Sequence, residues 1–210
     1  MKLVFAHGWS FDAAFWHPIH QALGQPESVF LERGYGSAPA FTALPEDPFI
    51  MIGHSAGVLG ALTRDLPSCR GVIAFNGFSR FSQSEDFTSG IPRRVLTRMR
   101  SRLACATQET VTQFRQQFEP FLPCDTMLDK QALEAGLTEL LEADGRKAAR
   151  GWGRALTAIH GAQDELVSTA MHKASFPEAT RHVMQGGHLL PVTAPHACAA
   201  LIADILKAAS

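Results

Sequence analysis

Phe49-Ile50-Met51-Ile52-Gly53-His54-Ser55-Ala56-Gly57 is the stretch that decides the reading of this chain. Four apolar residues run together, stop at a glycine, and lead into a serine with a glycine two residues to either side. Continuous rather than alternating apolar runs mark strands covered on both faces, as in a parallel sheet. From Ala56 to Leu66 the pattern turns helical. A strand, a tight turn and a helix would hold Ser55 in a strained backbone conformation at the strand's carboxyl end. Helix N–H groups behind it would favour developing negative charge. Gly53 and Gly57 fit because side chains there would clash across the turn. The other reading of these five letters is an ordinary glycine-flanked turn, and their place between strand and helix argues against it.

Similar runs recur on both sides. Leu3–Ala6 ends at Gly8, Val29–Leu31 at Gly34, Val72–Phe75 at Gly77, Leu156–Ile159 at Gly161, and Arg181–Met184 at Gly186-Gly187. The fold class is therefore α/β, with a mostly parallel sheet of about six strands. Residues 85–150 read as an inserted helical cap within a single domain spanning 1–210. Ile91 to Arg150 contain no convincing strand, and breaks fall near Pro120, Pro123 and Gly145. Near the C-terminus, Cys198, Leu201, Ile202, Ile205 and Leu206 share one helix face, with Pro195 near the helix start.

The 210 residues suit one domain or a core with a modest insertion, and 46% hydrophobic residues suffice for a real core. A formal net charge of −1 argues against a nucleic-acid partner. The N-terminal apolar run is too short for a signal-peptide core, and no stretch approaches a membrane span. Cys69, Cys105, Cys124 and Cys198 show no C-x-x-C spacing and read as free, buried thiols of a cytoplasmic protein. We expect a monomer that needs no metal or cofactor.

A serine hydroxyl needs a base to take its proton. After an elbow of this kind the partners follow in the order Asp or Glu, then His. Asp164, in Gly161-Ala162-Gln163-Asp164-Glu165-Leu166-Val167, follows the penultimate strand. His188, in Gly186-Gly187-His188-Leu189-Leu190-Pro191, follows the last. Both would sit at strand carboxyl ends, on the edge where sites form in open α/β sheets. His196 lies inside the final helix pattern, His160 within a strand, and His54 beside the serine, where it would shape the pocket. Glu165 is the rival acid. The oxyanion would be held by two backbone N–H groups, from Ala56 and from Trp9 in the loop His7-Gly8-Trp9. The Trp9 indole would wall the pocket or simply pack in the core.

His7-Gly8-Trp9, the serine elbow, Asp164 and Gly187-His188 together resemble the α/β-hydrolase superfamily over most of the chain. Within it the chain is most similar to the pimeloyl-[acyl-carrier-protein] methyl ester esterases of biotin synthesis. Thr110-Val111-Thr112-Gln113-Phe114 and Leu133-Glu134-Ala135-Gly136-Leu137-Thr138-Glu139-Leu140-Leu141 carry that closer likeness. The resemblance implies an acyl site lined by Trp9, Ser55, Ala56, Phe114, Phe118 and His188. It implies hydrolysis of a carrier-bound methyl ester, releasing methanol and a carboxylate. Two features depart from the family pattern. The sequence starts at the strand before His7, without the usual hairpin, and Gly34–Pro48 is too short and proline-rich for a full helix.

Ile91–Leu103 carries Arg93, Arg94, Arg98, Arg100 and Arg102 without an acid. Ile91, Val95, Leu96, Met99 and Leu103 form its apolar face. The arginines read either as a solvated basic face or as a dock for acyl carrier protein. Asp125, Asp129, Glu134, Glu139, Glu142 and Asp144 make the following segment acidic, so attraction within the cap is a further reading. The rival functions are a general short-chain esterase or thioesterase, and a catalytically inactive binding module on this fold.

Overall fold

The computed structural model describes residues 1–36, 38–124 and 127–208. Six strands form one sheet: β1 (Lys2–Ala6), β2 (Ser28–Leu31), β3 (Phe49–His54), β4 (Cys69–Phe75), β5 (Leu156–Gly161) and β6 (Thr180–Met184). Their order is β2-β1-β3-β4-β5-β6, and every pairing is parallel. The chain steps outward from β1 to β2 and then crosses back to β3. The order therefore reverses between β1 and β3, the kind of switch point where α/β sheets open a crevice. Ala6 pairs with Gly53 there, so the loops carrying Trp9 and Ser55 leave the sheet side by side.

The helices are α1 (His17–Ala22), α2 (Ala56–Leu62), α3 (Arg93–Cys105), α4 (Thr107–Arg115), α5 (Lys130–Glu142), α6 (Arg146–Trp152), α7 (Thr169–Ser175), α8 (Leu190–Thr193) and α9 (Pro195–Ala208). Alternate strand residues point to opposite faces. Phe5, Ile52, Ile73, Phe75 and Ile159 meet Trp16, Ile19, Leu190, Cys198 and Ile202 on one face. Val4, Met51, Val72, Ala74 and Ala158 meet Val58, Ala61, Leu62, Ala149 and Phe176 on the other. Two covered faces explain why the strands read as unbroken apolar runs. The two outer strands are less covered: β2 buries only Leu31, and β6 is half covered with Val183 exposed.

A third cluster joins α3, α4 and α5 to Trp9, Ala56, Leu59, Phe78 and Phe81. This helical block lies between β4 and β5 in the chain and covers the site-bearing loops. α6, which falls within the expected cap, packs instead on the sheet through Ala149. Other boundaries also differ from expectation. α2 stops at Leu62, where the Thr63 hydroxyl turns back to the Leu59 carbonyl, and Pro67 disfavours helix for the residue before it. The basic helix begins after Pro92 and breaks at Ala106. Leu96 and Leu103 are buried as its apolar face requires, but Val95 is exposed. Cys69 and Cys198 are buried, whereas Cys105 is exposed and Cys124 half-buried. Gly34–Pro48 forms no helix among its described residues; Phe41 and Glu32 exchange backbone hydrogen bonds instead. Asp125 lies outside the described residues. No helix among the described residues is long and apolar enough to cross a membrane.

Candidate active site

Ser55 sits between β3 and α2 with φ 52° and ψ −123°. A non-glycine residue there costs on the order of 1–3 kcal/mol and persists only when its surroundings fix it. Both flanking glycines are required. A Cβ on Gly57 would lie 2.2 Å from the Ala6 carbonyl oxygen, and one on Gly53 would lie 2.9 Å from Val58 Cγ2. The first clash is with β1's end rather than across the turn itself, so Gly57 lets α2 begin against β1.

The Ser55 hydroxyl lies 3.1 Å from His188 Nε2. His188 Nδ1 lies 2.9 Å from Asp164 Oδ2. The hydrogen-bond network assigns the imidazole proton to Nδ1, leaving Nε2 free to accept from the hydroxyl. Asp164 Oδ1 accepts the backbone N–H groups of Leu166 and Val167, each at 2.9 Å. Burial pushes the Asp164 carboxyl up, but His188 and these N–H groups outweigh it and hold the carboxyl below its ordinary value. All three side chains are buried. The order serine, base, orienting carboxylate can deprotonate a hydroxyl and stabilise the resulting imidazolium.

Two side chains brace His188. Phe118 stacks on its ring at 4.8 Å. His54 Nε2 donates to its backbone carbonyl at 2.9 Å. His54 is fully buried, and desolvation first, then the neighbouring His188, holds its pKa well below the ordinary histidine value. It lies beneath the site, so its task differs from the expected shaping of the pocket. His160 is buried against His172, Glu165 and His196 are exposed, and none of the three touches Ser55.

Gly8 brings the loop after β1 against the elbow: a Cβ there would lie 3.2 Å from Ser55 Cβ. Among the described residues, no hydrogen bond engages the backbone N–H of Trp9 or Ala56. Both remain available to an incoming oxyanion. The Trp9 indole donates to the Leu133 carbonyl at 3.0 Å and meets Phe114 edge-on at 5.0 Å. It forms one wall of a narrow cavity of about 20 Å³ over Ser55. Ala56, Phe78, Met99, Phe114, Leu137 and Leu166 are among its other walls, and no charged side chain lines it. Phe118 lies against the imidazole rather than in this lining.

The arginines of α3 are not equivalent. Arg93 pairs with Glu142 at 2.6 Å and donates to the Leu141 carbonyl at 2.6 Å, tying α3 to α5. It is spent within the chain, as attraction between the basic and acidic parts of the cap would have it. Arg100 lies 3.5 Å from the Thr138 hydroxyl. Arg94 and Arg98 are exposed, and Arg98 borders an outer groove with Met99, Gln113 and Phe114. Sequence reasoning missed Asn76, whose amide reaches Asp164, and Glu32, a buried carboxylate 3.2 Å from His7. Burial pushes Glu32 up, but His7 and the N–H groups of Ala13 and Gly34 bring it below its ordinary value. The signal for Asn76 was a polar residue at a strand end just before a glycine. No cluster of three or more His, Cys, Asp or Glu among the described residues is placed to hold a metal ion.

No protein-family model matches the chain. It is 26% identical to a pimeloyl-[acyl-carrier protein] methyl ester esterase of Xanthomonas axonopodis pv. citri, over 90% of this chain and 88% of that protein. A protein of the same name from Xanthomonas oryzae pv. oryzae is 25% identical over the same shares. Among solved structures, an esterase from Exiguobacterium antarcticum superposes with a TM-score of 0.80 at 15% identity, covering 99% of this chain and 92% of the other. An enol-lactonase from Burkholderia xenovorans gives 0.78 at 16% identity, covering 98% and 91%. The fold is that of the α/β-hydrolases, and the sequence resembles the pimeloyl-carrier esterases.

Proposed function

We propose that this protein is a cytoplasmic serine carboxylic-ester hydrolase. The observation that carries the reading is the buried chain from Asp164 through His188 to the Ser55 hydroxyl, opening on an apolar cavity. Ser55 attacks the ester carbonyl while His188 Nε2 takes its proton. The carbonyl oxygen becomes an oxyanion, held by the N–H groups of Trp9 and Ala56. His188 then protonates the departing alkoxide, and an acyl group remains on Ser55. Water, deprotonated by the same imidazole, releases the acid and restores the serine. Asp164 fixes the tautomer and stabilises the imidazolium without itself taking the proton. Ser55→Ala should abolish turnover, and a fluorophosphonate should label Ser55 of the folded wild type. Absence of that adduct would defeat the reading in favour of an inactive binding module.

The substrate we favour is the methyl ester of a pimeloyl group on acyl carrier protein. Its support is the similarity to the Xanthomonas esterases and a cavity lining that suits methylenes and an uncharged ester end. The exposed Arg94 and Arg98, with Arg100, are the candidate contacts for an acidic carrier. The small cavity also favours a second reading, a short-chain ester. Turnover of the carrier-bound methyl ester against short p-nitrophenyl esters separates the two, as does rescue of a biotin auxotroph lacking its own methyl ester esterase.

A further inference from the structure

Arg115, the last residue of α4, is buried at 6% exposure and reaches a loop 105 residues away in sequence. Its guanidinium donates to the Ser10 carbonyl and, at 3.4 Å, approaches the Ser10 hydroxyl. On its other side it donates to the carbonyls of Pro123 at 2.7 Å and Leu122 at 3.3 Å. It also lies over the Phe11 ring, 4.7 Å from the centroid. A guanidinium keeps its charge when buried, so it needs several acceptors in fixed directions. Its rigid fork therefore joins the loop after β1 to the segment after α4.

The loop it holds is a turn. Phe11 N–H meets the Gly8 carbonyl at 3.4 Å, and the third residue, Ser10, has φ 67°. A turn with positive φ at that position ordinarily places glycine or asparagine there. Serine stays only if its surroundings over-determine it. Trp9 is the second residue of the same turn, so the turn sets where the Trp9 N–H points.

We propose that Arg115 is a positioning residue of the oxyanion hole: it clamps the Gly8–Phe11 turn to the cap and thereby aims the Trp9 N–H at the reacting carbonyl. The inference rests on the hydrolase reading above. The test uses Arg115→Met and Arg115→Lys, each assayed on a p-nitrophenyl ester and normalised to Ser55 titrated by a fluorophosphonate, so that unfolded protein drops out. We expect kcat per titrated site to fall about 10- to 100-fold with KM within about twofold, as for a misplaced transition-state contact. A trifluoromethyl ketone, which forms a tetrahedral oxyanion on Ser55, should bind more weakly by a similar factor. In a Ser10→Gly background, where the turn carries no strain, the loss from Arg115→Met should shrink. Unchanged kcat per titrated site in both variants of an active wild type overturns this inference alone. A wild type that hydrolyses no ester overturns the hydrolase reading and this inference with it.

Discussion

Asn76 donates from Nδ2 to Asp164 Oδ2 at 2.8 Å, the same carboxylate oxygen that faces His188. The same amide donates to the Gly187 carbonyl at 2.8 Å, and its Oδ1 accepts the Gly161 N–H at 3.2 Å. One fully buried side chain at the end of β4 thus joins the end of β5 to the loops that carry Asp164 and His188. Gly161 allows the close approach, since a Cβ there would lie 2.5 Å from the carbonyl oxygens of Gly186 and Gly187. Asn76→Ala leaves two buried groups and one partly buried carbonyl without this partner. It should cost about 2–3 kcal/mol in urea unfolding. It should also lower kcat about tenfold or more by loosening the imidazole. Asn76→Asp sets a second carboxylate beside Asp164 and should lose more activity than the alanine variant at neutral pH.

Gly136 in α5 packs closely against Trp9. A Cβ there would lie 2.5 Å from Tyr35 Oη and 2.7 Å from Trp9 Cδ1, and both rings are buried. Gly136→Ala should therefore destabilise by about 1–3 kcal/mol. It should also raise KM as the indole is pushed toward the cavity. Gly151 in α6 has nothing within 4 Å of its Cβ position. Gly151→Ala should be neutral or gain up to about 1 kcal/mol, as expected in a helix interior. Thermal melts of the two variants, side by side, check both.

The elbow at Ser55 was legible because its signal is local: an apolar run, two glycines and a helical pattern within twenty residues. Asp164 and His188 were legible as residues at strand ends in a known order, and the structure brings them within hydrogen-bond reach of one another and of Ser55. Asn76 and Arg115 were not legible as site residues, because the partners that tie them to the site lie 85 or more residues away, and the strand-end position of Asn76 does not by itself name those partners. The arginines of α3 show the same limit. Sequence groups them as one basic face, yet Arg93 turns inward to the Leu141 carbonyl while Arg98 stays exposed. Val95 occupies an apolar helical position, yet it lies half exposed on the rim of the outer groove. Helix ends shifted where a side chain competed for the backbone, as Thr63 does at the end of α2.

His172 lies buried against His160, with ring centroids 4.7 Å apart. Burial lowers its pKa to about 4; His160, Arg181 and Lys173 push the same way, and Asp164 opposes them. The native state therefore holds His172 neutral, while the unfolded chain takes up its proton near the ordinary histidine value of 6.5. The stability it contributes is complete above about pH 6.5. It is lost as pH falls toward about 4, by roughly 3 kcal/mol in total. Asp164, depressed below 3.8, loses its own contribution only under more acid conditions. His172→Phe should reduce the difference between urea midpoints at pH 7 and pH 4.5. His160 and His54, also lowered by burial, should keep it from vanishing. An unchanged difference in the variant would exclude His172 as the source.

Charge reversal on α3 separates an internal tether from a docking contact. Arg93 and Glu142 are each about half exposed, with side-chain exposures of 45% and 61%, so their pairing contributes under about 1 kcal/mol. Arg93→Glu should lower stability by that modest amount, plus the lost bond to the Leu141 carbonyl, and it should affect free and carrier-bound esters alike. Arg98 borders the outer groove whose Met99 and Phe114 also line the cavity over Ser55. Arg98→Glu should leave the melting temperature and the turnover of a free p-nitrophenyl ester unchanged. For an ester on acyl carrier protein it should raise KM about tenfold at low salt, and the effect should shrink as ionic strength rises. Equal KM values for the carrier-bound ester in wild type and Arg98→Glu at low salt would remove this arginine from the docking surface.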